Sequence, residues 1–183
     1  TVTGQATENF NGGLNTTVAG AEKYMIYRST SKDGSYSKVK TITDVSTTSW
    51  TDKDVKTGKT YYYKMKAVVT TNKTVTSGYS AVKSAKCVPA KPGSVKVTSP
   101  NKKQLKVSWK KVSGASGYEV YRATSKDGKY TKVKTIGKGK TVTYTDKKVS
   151  SGKTYYYKVR SYRTVNGKKV YGSYSKVKAV RVR

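Results

Sequence analysis

The chain has 183 residues, with 39 Lys and Arg against nine Asp and Glu, no His, and a formal net charge of +30. The lack of His removes the usual general base and the commonest metal ligand, and no run of 18 apolar residues is present to cross a membrane as a helix. Apolar content is only 34%, but 17 Tyr and two Trp supply the large rings that disordered chains lack, so the composition reads as a folded, strongly basic protein.

The first 21 residues, TVTGQATENFNGGLNTTVAGA, are polar and Gly-rich. No signal peptide and no initiating Met stand at Thr1, so the chain is expected to be a mature fragment or a piece of something longer. At 24–43 comes YMIYRSTSKDGSYSKVKTIT, and 94 residues later, at 118–137, YEVYRATSKDGKYTKVKTIG; GKTYYYK recurs at 58–64 and 152–158 with the same separation. One inserted residue then makes Val75 and Tyr79 match Val170 and Tyr174. The unit is therefore a module of roughly 90 residues in two copies, divided as 1–88 and 89–183. Asn15 falls where the second copy has Trp109, which predicts an irregular first hairpin in module one.

Cys87 falls where the second copy has Val182. Without an intrachain partner or a His to tune it, it is read first as a small buried residue on the last strand of module one, and otherwise as an intermolecular bridge or a reactive thiol. Between the copies, VPAKPG at 88–93 carries two prolines, which predicts a semi-rigid, extended joint. In module two, LKVSW at 105–109, YEV at 118–120, TVTYT at 141–145 and YYYKV at 155–159 alternate with period two, separated by turn signals about every ten residues. Helical spacing is absent. This is the signature of an all-β, antiparallel sandwich or barrel with Leu105, Val107 and Trp109 on one face of their strand and Lys106 and Ser108 on the other.

Charge is unevenly divided. Residues 1–88 hold 13 Lys and Arg against six acids, a net +7, and residues 89–183 hold 26 against three, a net +23. The acids read as structural: Asp33 and Asp127 lie in SKDG turns, and Asp52 and Asp146 follow a strand where a carboxylate caps nearby amides. GKGKT at 137–141 lacks the spacing of a phosphate loop and leads into a strand. No enzyme chemistry, metal site or cofactor is indicated.

If Tyr155, Tyr157 and Val159 point inward, Tyr156, Lys158, Arg160 and Tyr162 project from the outer face, beside Tyr121 of the neighbouring strand. Tyr27, Tyr62, Lys64 and Lys66 repeat part of this in module one. Two readings stand for such a face. Lysine stems and rings can simply pack across strands and keep edges from pairing, or rings and cations can hold sugars and anionic groups. Lys outnumbers Arg 33 to 6, which suits diffuse attraction to polyanions and not sequence-specific nucleic-acid readout.

The residues also resemble a known family. Trp109 on the second strand, Tyr118 and Val120 on the third, and V-x-x-G-x-x-Y at Val149, Gly152 and Tyr155 are similar to fibronectin type III domains, the last pattern to their tyrosine corner; module one carries it at Val55, Gly58 and Tyr61. The resemblance implies two tandem immunoglobulin-like sandwiches of seven strands each. It further implies modules strung along secreted and cell-surface proteins of Gram-positive bacteria. In that setting their partners would be neighbouring domains of a parent chain, with wall polymer, acidic polysaccharide or extracellular DNA as anionic partners, and their role that of a spacer or presentation segment, or else a binding module for anionic wall polymer or glycan.

Overall fold

The computed structural model describes residues 2–5, 9–13, 20–47, 49–70 and 73–183. Two units, Thr1–Cys87 and Val88–Arg183, each enclose a separate core. Asn15 lies outside the described residues.

Unit one runs β1 (Val2–Gln5), β2 (Asn9–Gly13), β3 (Lys23–Ser29), β4 (Ser37–Ile42), β5 (Ser49–Asp52), β6 (Thr60–Thr70), β7 (Thr74–Thr76) and β8 (Lys83–Lys86). Unit two repeats it as β9 (Lys96–Thr98), β10 (Leu105–Ser108), β11 (Gly117–Ala123), β12 (Thr131–Ile136), β13 (Thr143–Asp146), β14 (Thr154–Val165), β15 (Lys168–Tyr171) and β16 (Lys178–Arg181). In unit two β9, β10 and β13 form one antiparallel sheet and β12, β11 and β14 the other, with β15 and β16 both lying along the far edge of β14. Unit one has the same order, β1-β2-β5 facing β4-β3-β6 with β7 and β8 on β6. The last strand of each sandwich is thus a single strand position broken in two, which gives seven positions per module.

Side-chain alternation puts the cores where the pattern predicts them. Leu105 and Val107 are fully buried and Trp109 nearly so, its ring edge-on to Tyr118 at 5.2 Å, while Lys106 is exposed. Tyr155, Tyr157 and Val159 enter the same core from β14. In unit one Tyr24, Ile26, Tyr61 and Tyr63 do the same, and Cys87 takes a core place as a small apolar residue. The break in the last strand is held by serine. Ser175 donates its amide to the Val159 carbonyl and its Oγ accepts the Val159 N–H at 3.0 Å; Ser80 repeats both bonds with Met65.

The corner before β14 has the form that the V-x-x-G-x-x-Y pattern implies. Gly152, at φ +76°, turns the chain through a region that side chains disfavour, and its N–H donates to the Val182 carbonyl. The Tyr155 hydroxyl then accepts the Ser150 N–H at 3.1 Å, five residues back, as Tyr61 accepts the Lys56 N–H at 3.0 Å.

Gly117 sets how closely β11 approaches its neighbours. A Cβ there would overlap the Ile136 carbonyl oxygen and the Tyr162 ring, whereas at Gly137 it would meet nothing within 4 Å. Gly117→Ala is expected to destabilise module two by about 3 kcal/mol in urea denaturation and Gly137→Ala by less than about 1 kcal/mol.

Candidate functional site

Strand β14 turns Tyr156, Lys158, Arg160 and Tyr162 to the outer face, and its pairing with β11 sets Tyr121 opposite Lys158 and Glu119 opposite Arg160. A bulge between Val120 and Tyr121 offsets β11 against β12, so that Tyr121 pairs with Lys132. Unit one has the same irregularity between Ile26 and Tyr27.

At the centre lies an acid that is fully buried although it faces outward. Glu119 accepts Arg160 through Nη2 at 2.7 Å and Nε at 3.1 Å, the Tyr121 hydroxyl at 2.8 Å, the Tyr171 hydroxyl at 3.2 Å and Lys132 Nζ at 3.3 Å, with Lys169 Nζ at 3.7 Å. Burial by itself would raise its pKa. The hydrogen bonds from Arg160 and Tyr121, the Arg160 charge and Lys132 outweigh that and hold it down at about 2. The Tyr121 hydroxyl is pushed up, first by burial and then by its bonds to Tyr174 and Glu119.

The cations around this acid are held against rings. The Arg160 guanidinium lies 3.8 Å from the Tyr171 centroid and 5.3 and 5.2 Å from those of Tyr121 and Tyr174. Lys158 Nζ sits 4.2 Å from the Tyr130 ring and 4.4 Å from Tyr174, and Tyr174 meets Tyr121 edge-on. Each such contact at a partly exposed site is worth about 0.5–1 kcal/mol. Module one builds the same stack, with Lys64 over Tyr36 at 4.1 Å and Tyr79 at 3.8 Å, Lys66 over Tyr79, and Tyr79 edge-on to Tyr27. The hub differs, and Lys66 stands in place of Arg160. Met25 stands where module two has Glu119, and it accepts the Tyr27 hydroxyl through sulfur at 3.7 Å.

The sequence expectation holds for the direction of four residues and needs correction for the fifth. Tyr121, Tyr156, Lys158 and Arg160 are partly exposed. Tyr162, expected on the surface, is 4% exposed. It has the right parity, but Tyr171 of β15 stacks against it, Lys169 lies over its ring, and its hydroxyl donates to the Ile136 carbonyl across Gly117. Reasoning from β14 and β11 alone missed Glu119, Tyr171, Tyr130 and Tyr174. For the last two a signal existed, since Tyr36 and Tyr130 close both SKDG motifs and Tyr79 and Tyr174 match across the repeat.

The remaining buried acids serve structure. Asp146 accepts the Lys148 N–H, the Tyr157 hydroxyl and Arg122, and Asp52 accepts the equivalent groups of Asp54, Tyr63 and Arg28, all within 3 Å. Among the described residues no three Cys, Asp or Glu side chains gather where they could hold a metal ion. Among the described residues no helix is long and apolar enough to cross a membrane.

No protein-family model and no curated protein matches the sequence. Solved structures do. The chicken interferon gamma receptor alpha chain is similar over 100% of this chain and 95% of its own, at 13% identity and a TM-score of 0.65. A two-domain fibronectin type III segment of chicken tenascin is similar over 100% and 97%, at 16% identity and 0.52. The FN1–FN3 domains of chicken CNTN1 match 98% of this chain, which spans 62% of that one, at 16% identity and 0.46. Strand order and the first two likenesses agree: the fold is a tandem pair of fibronectin type III-like antiparallel sandwiches.

Glu119→Gln leaves Arg160, Lys132 and Lys169 around a neutral amide and is expected to cost module two about 3 kcal/mol. Because the folded pKa lies below the ordinary 4.5, the stabilisation is complete above about pH 4.5 and is lost as pH falls toward 2. Denaturation midpoints between those pH values should fall less steeply for Glu119→Gln than for the parent.

Proposed function

We propose that the pair is a non-catalytic spacer or presentation segment of a longer extracellular bacterial protein, carrying neighbouring domains away from a surface. One observation carries this reading: the groups that gave the outer face its promise as a binding surface are engaged within each module. Lys158 and Lys64 each lie between two tyrosine rings, and Arg160 is fixed by Glu119 and Tyr171. A ligand stacking there would first have to displace these contacts. Separate cores in the two units add support, since each module can carry load without the other. The extracellular, Gram-positive setting and the neighbouring domains as partners rest on the sequence resemblance of the repeat.

The alternative reading, a binding module for anionic wall polymer or glycan using Tyr121, Tyr156, Lys158 and Arg160, draws on Tyr156. It is half-buried between Ala123 and Ala179 on the flanking strands, with small neighbours on both sides. Exchange within the parent protein separates the two. Replacing the pair with an unrelated tandem of equal length should leave the activity of the neighbouring domains on their own targets unchanged, and deleting it should lower that activity. Loss of activity on replacement would overturn the spacer reading.

A further inference from the structure

A different part of module two has cations that nothing in the module engages. Where β9, an edge of one sheet, runs beside β16, an edge of the other, the chain entering the module folds over the seam and leaves an open cleft of about 500 Å³. Lys91, Lys96, Lys176 and Lys178 line it, with Pro92 and Gly93 between them. All four lysines are exposed, and among the described residues none makes an ion pair or lies over a ring. No carboxylate lines the cleft.

The lining is also fixed in place. Pro92 and Val95 are buried, the Gly93 carbonyl accepts the Lys110 N–H at 2.9 Å, and the Ala90 carbonyl accepts the Ser161 hydroxyl. Ser94 holds φ +50°, a conformation that costs a non-glycine residue about 1 kcal/mol or more and that turns the chain between Lys91 and Lys96. A second basic cleft, of about 420 Å³ beside Lys147 and Lys148, differs in kind. Asp146 forms part of its wall, and the Arg122 that shares it is already bonded to that acid. Module one shares this charge only in part, since Lys83 matches Lys178 but Ala81 stands where module two has Lys176.

We propose that the Lys91, Lys96, Lys176 and Lys178 cleft is a binding site for a linear phosphate-bearing polyanion. The cleft is open at the surface, so a chain can pass along it. Its cations are lysines without arginine, and an ammonium binds a phosphate as a point charge with no fixed angle of approach, which suits a flexible, densely charged chain lying along an open cleft. The site is separate from the tyrosine face, and its failure would leave the spacer reading untouched.

The test uses the whole chain and inorganic polyphosphate as probe, with binding measured across a salt series. Four engaged lysines give a slope of log affinity against log salt of about −3, taking about −0.7 per cation as for a flexible strand. The double variant Lys176→Gln, Lys178→Gln should reduce the slope to about −1.4 and lose at least about tenfold in affinity near 50 mM salt. Lys147→Gln, Lys148→Gln removes the same net charge from the other cleft and should change affinity by less than about twofold; matching circular dichroism spectra check that both variants fold. Polyglutamate of equal charge should bind more weakly than polyphosphate. Equal losses from the two double variants, no polyphosphate binding at low salt, or equal binding of polyglutamate would each overturn the proposal.

Discussion

Burying a tyrosine hydroxyl without a partner costs roughly 1–3 kcal/mol in proteins, and both sandwiches are built around meeting that requirement. Leu and Ile are few and Val is small, so tyrosine rings supply much of the bulk of each core, and each ring brings a hydroxyl with it. Tyr118 accepts the Val112 N–H, Tyr155 the Ser150 N–H, and Tyr157 donates to Asp146. These partners are the turn before β11, the corner before β14 and the end of β13, so placing the rings also places the loops. Arg122 joins the set, bonding Asp146 and lying 5.2 Å from the Tyr155 centroid. Among the described residues Trp109 Nε1 is the buried side-chain polar atom that no hydrogen bond reaches.

The same frame carries two outer faces of different character. In both modules a lysine between two tyrosines crosses the face, its charge packed against ring faces without an acid. Module two adds Glu119, which gathers Arg160, Lys132 and Lys169 around one carboxylate. With 26 basic residues and three acids in residues 89–183, that single acid offsets repulsion where the cations of the face stand closest. Module one, at a net +7, places Met25 there and needs no such centre.

Much of this was readable in the sequence because its cause is local. Alternation in LKVSW and YYYKV is set by the pleat, and the corner at Gly152 and Tyr155 closes over five residues, so the repeat, the strands and the core rings all follow from short-range pattern. Glu119 was not readable as a hub. Its partner Arg160 is 41 residues away and reaches it only through the register of β11 against β14. Tyr162 shows the complementary limit. Parity gives its face correctly, but what covers it comes from β15, and period two within one strand carries no information about a neighbour. Tyr130 and Tyr174 were visible as repeated residues, yet their meeting over Lys158 depends on the break that Ser175 holds in the last strand.

The most direct test of a core suspended from its tyrosine hydroxyls compares two neighbouring residues of β14. Urea denaturation of Tyr157→Phe, which removes a buried bond to a carboxylate, should show a loss of about 2 kcal/mol at unchanged m-value. Tyr156→Phe, on the outer face, should stay within about 0.5 kcal/mol of the parent. Small and equal effects at both positions would contradict the account, since the ring alone would then suffice and the hydroxyl bonds would be incidental.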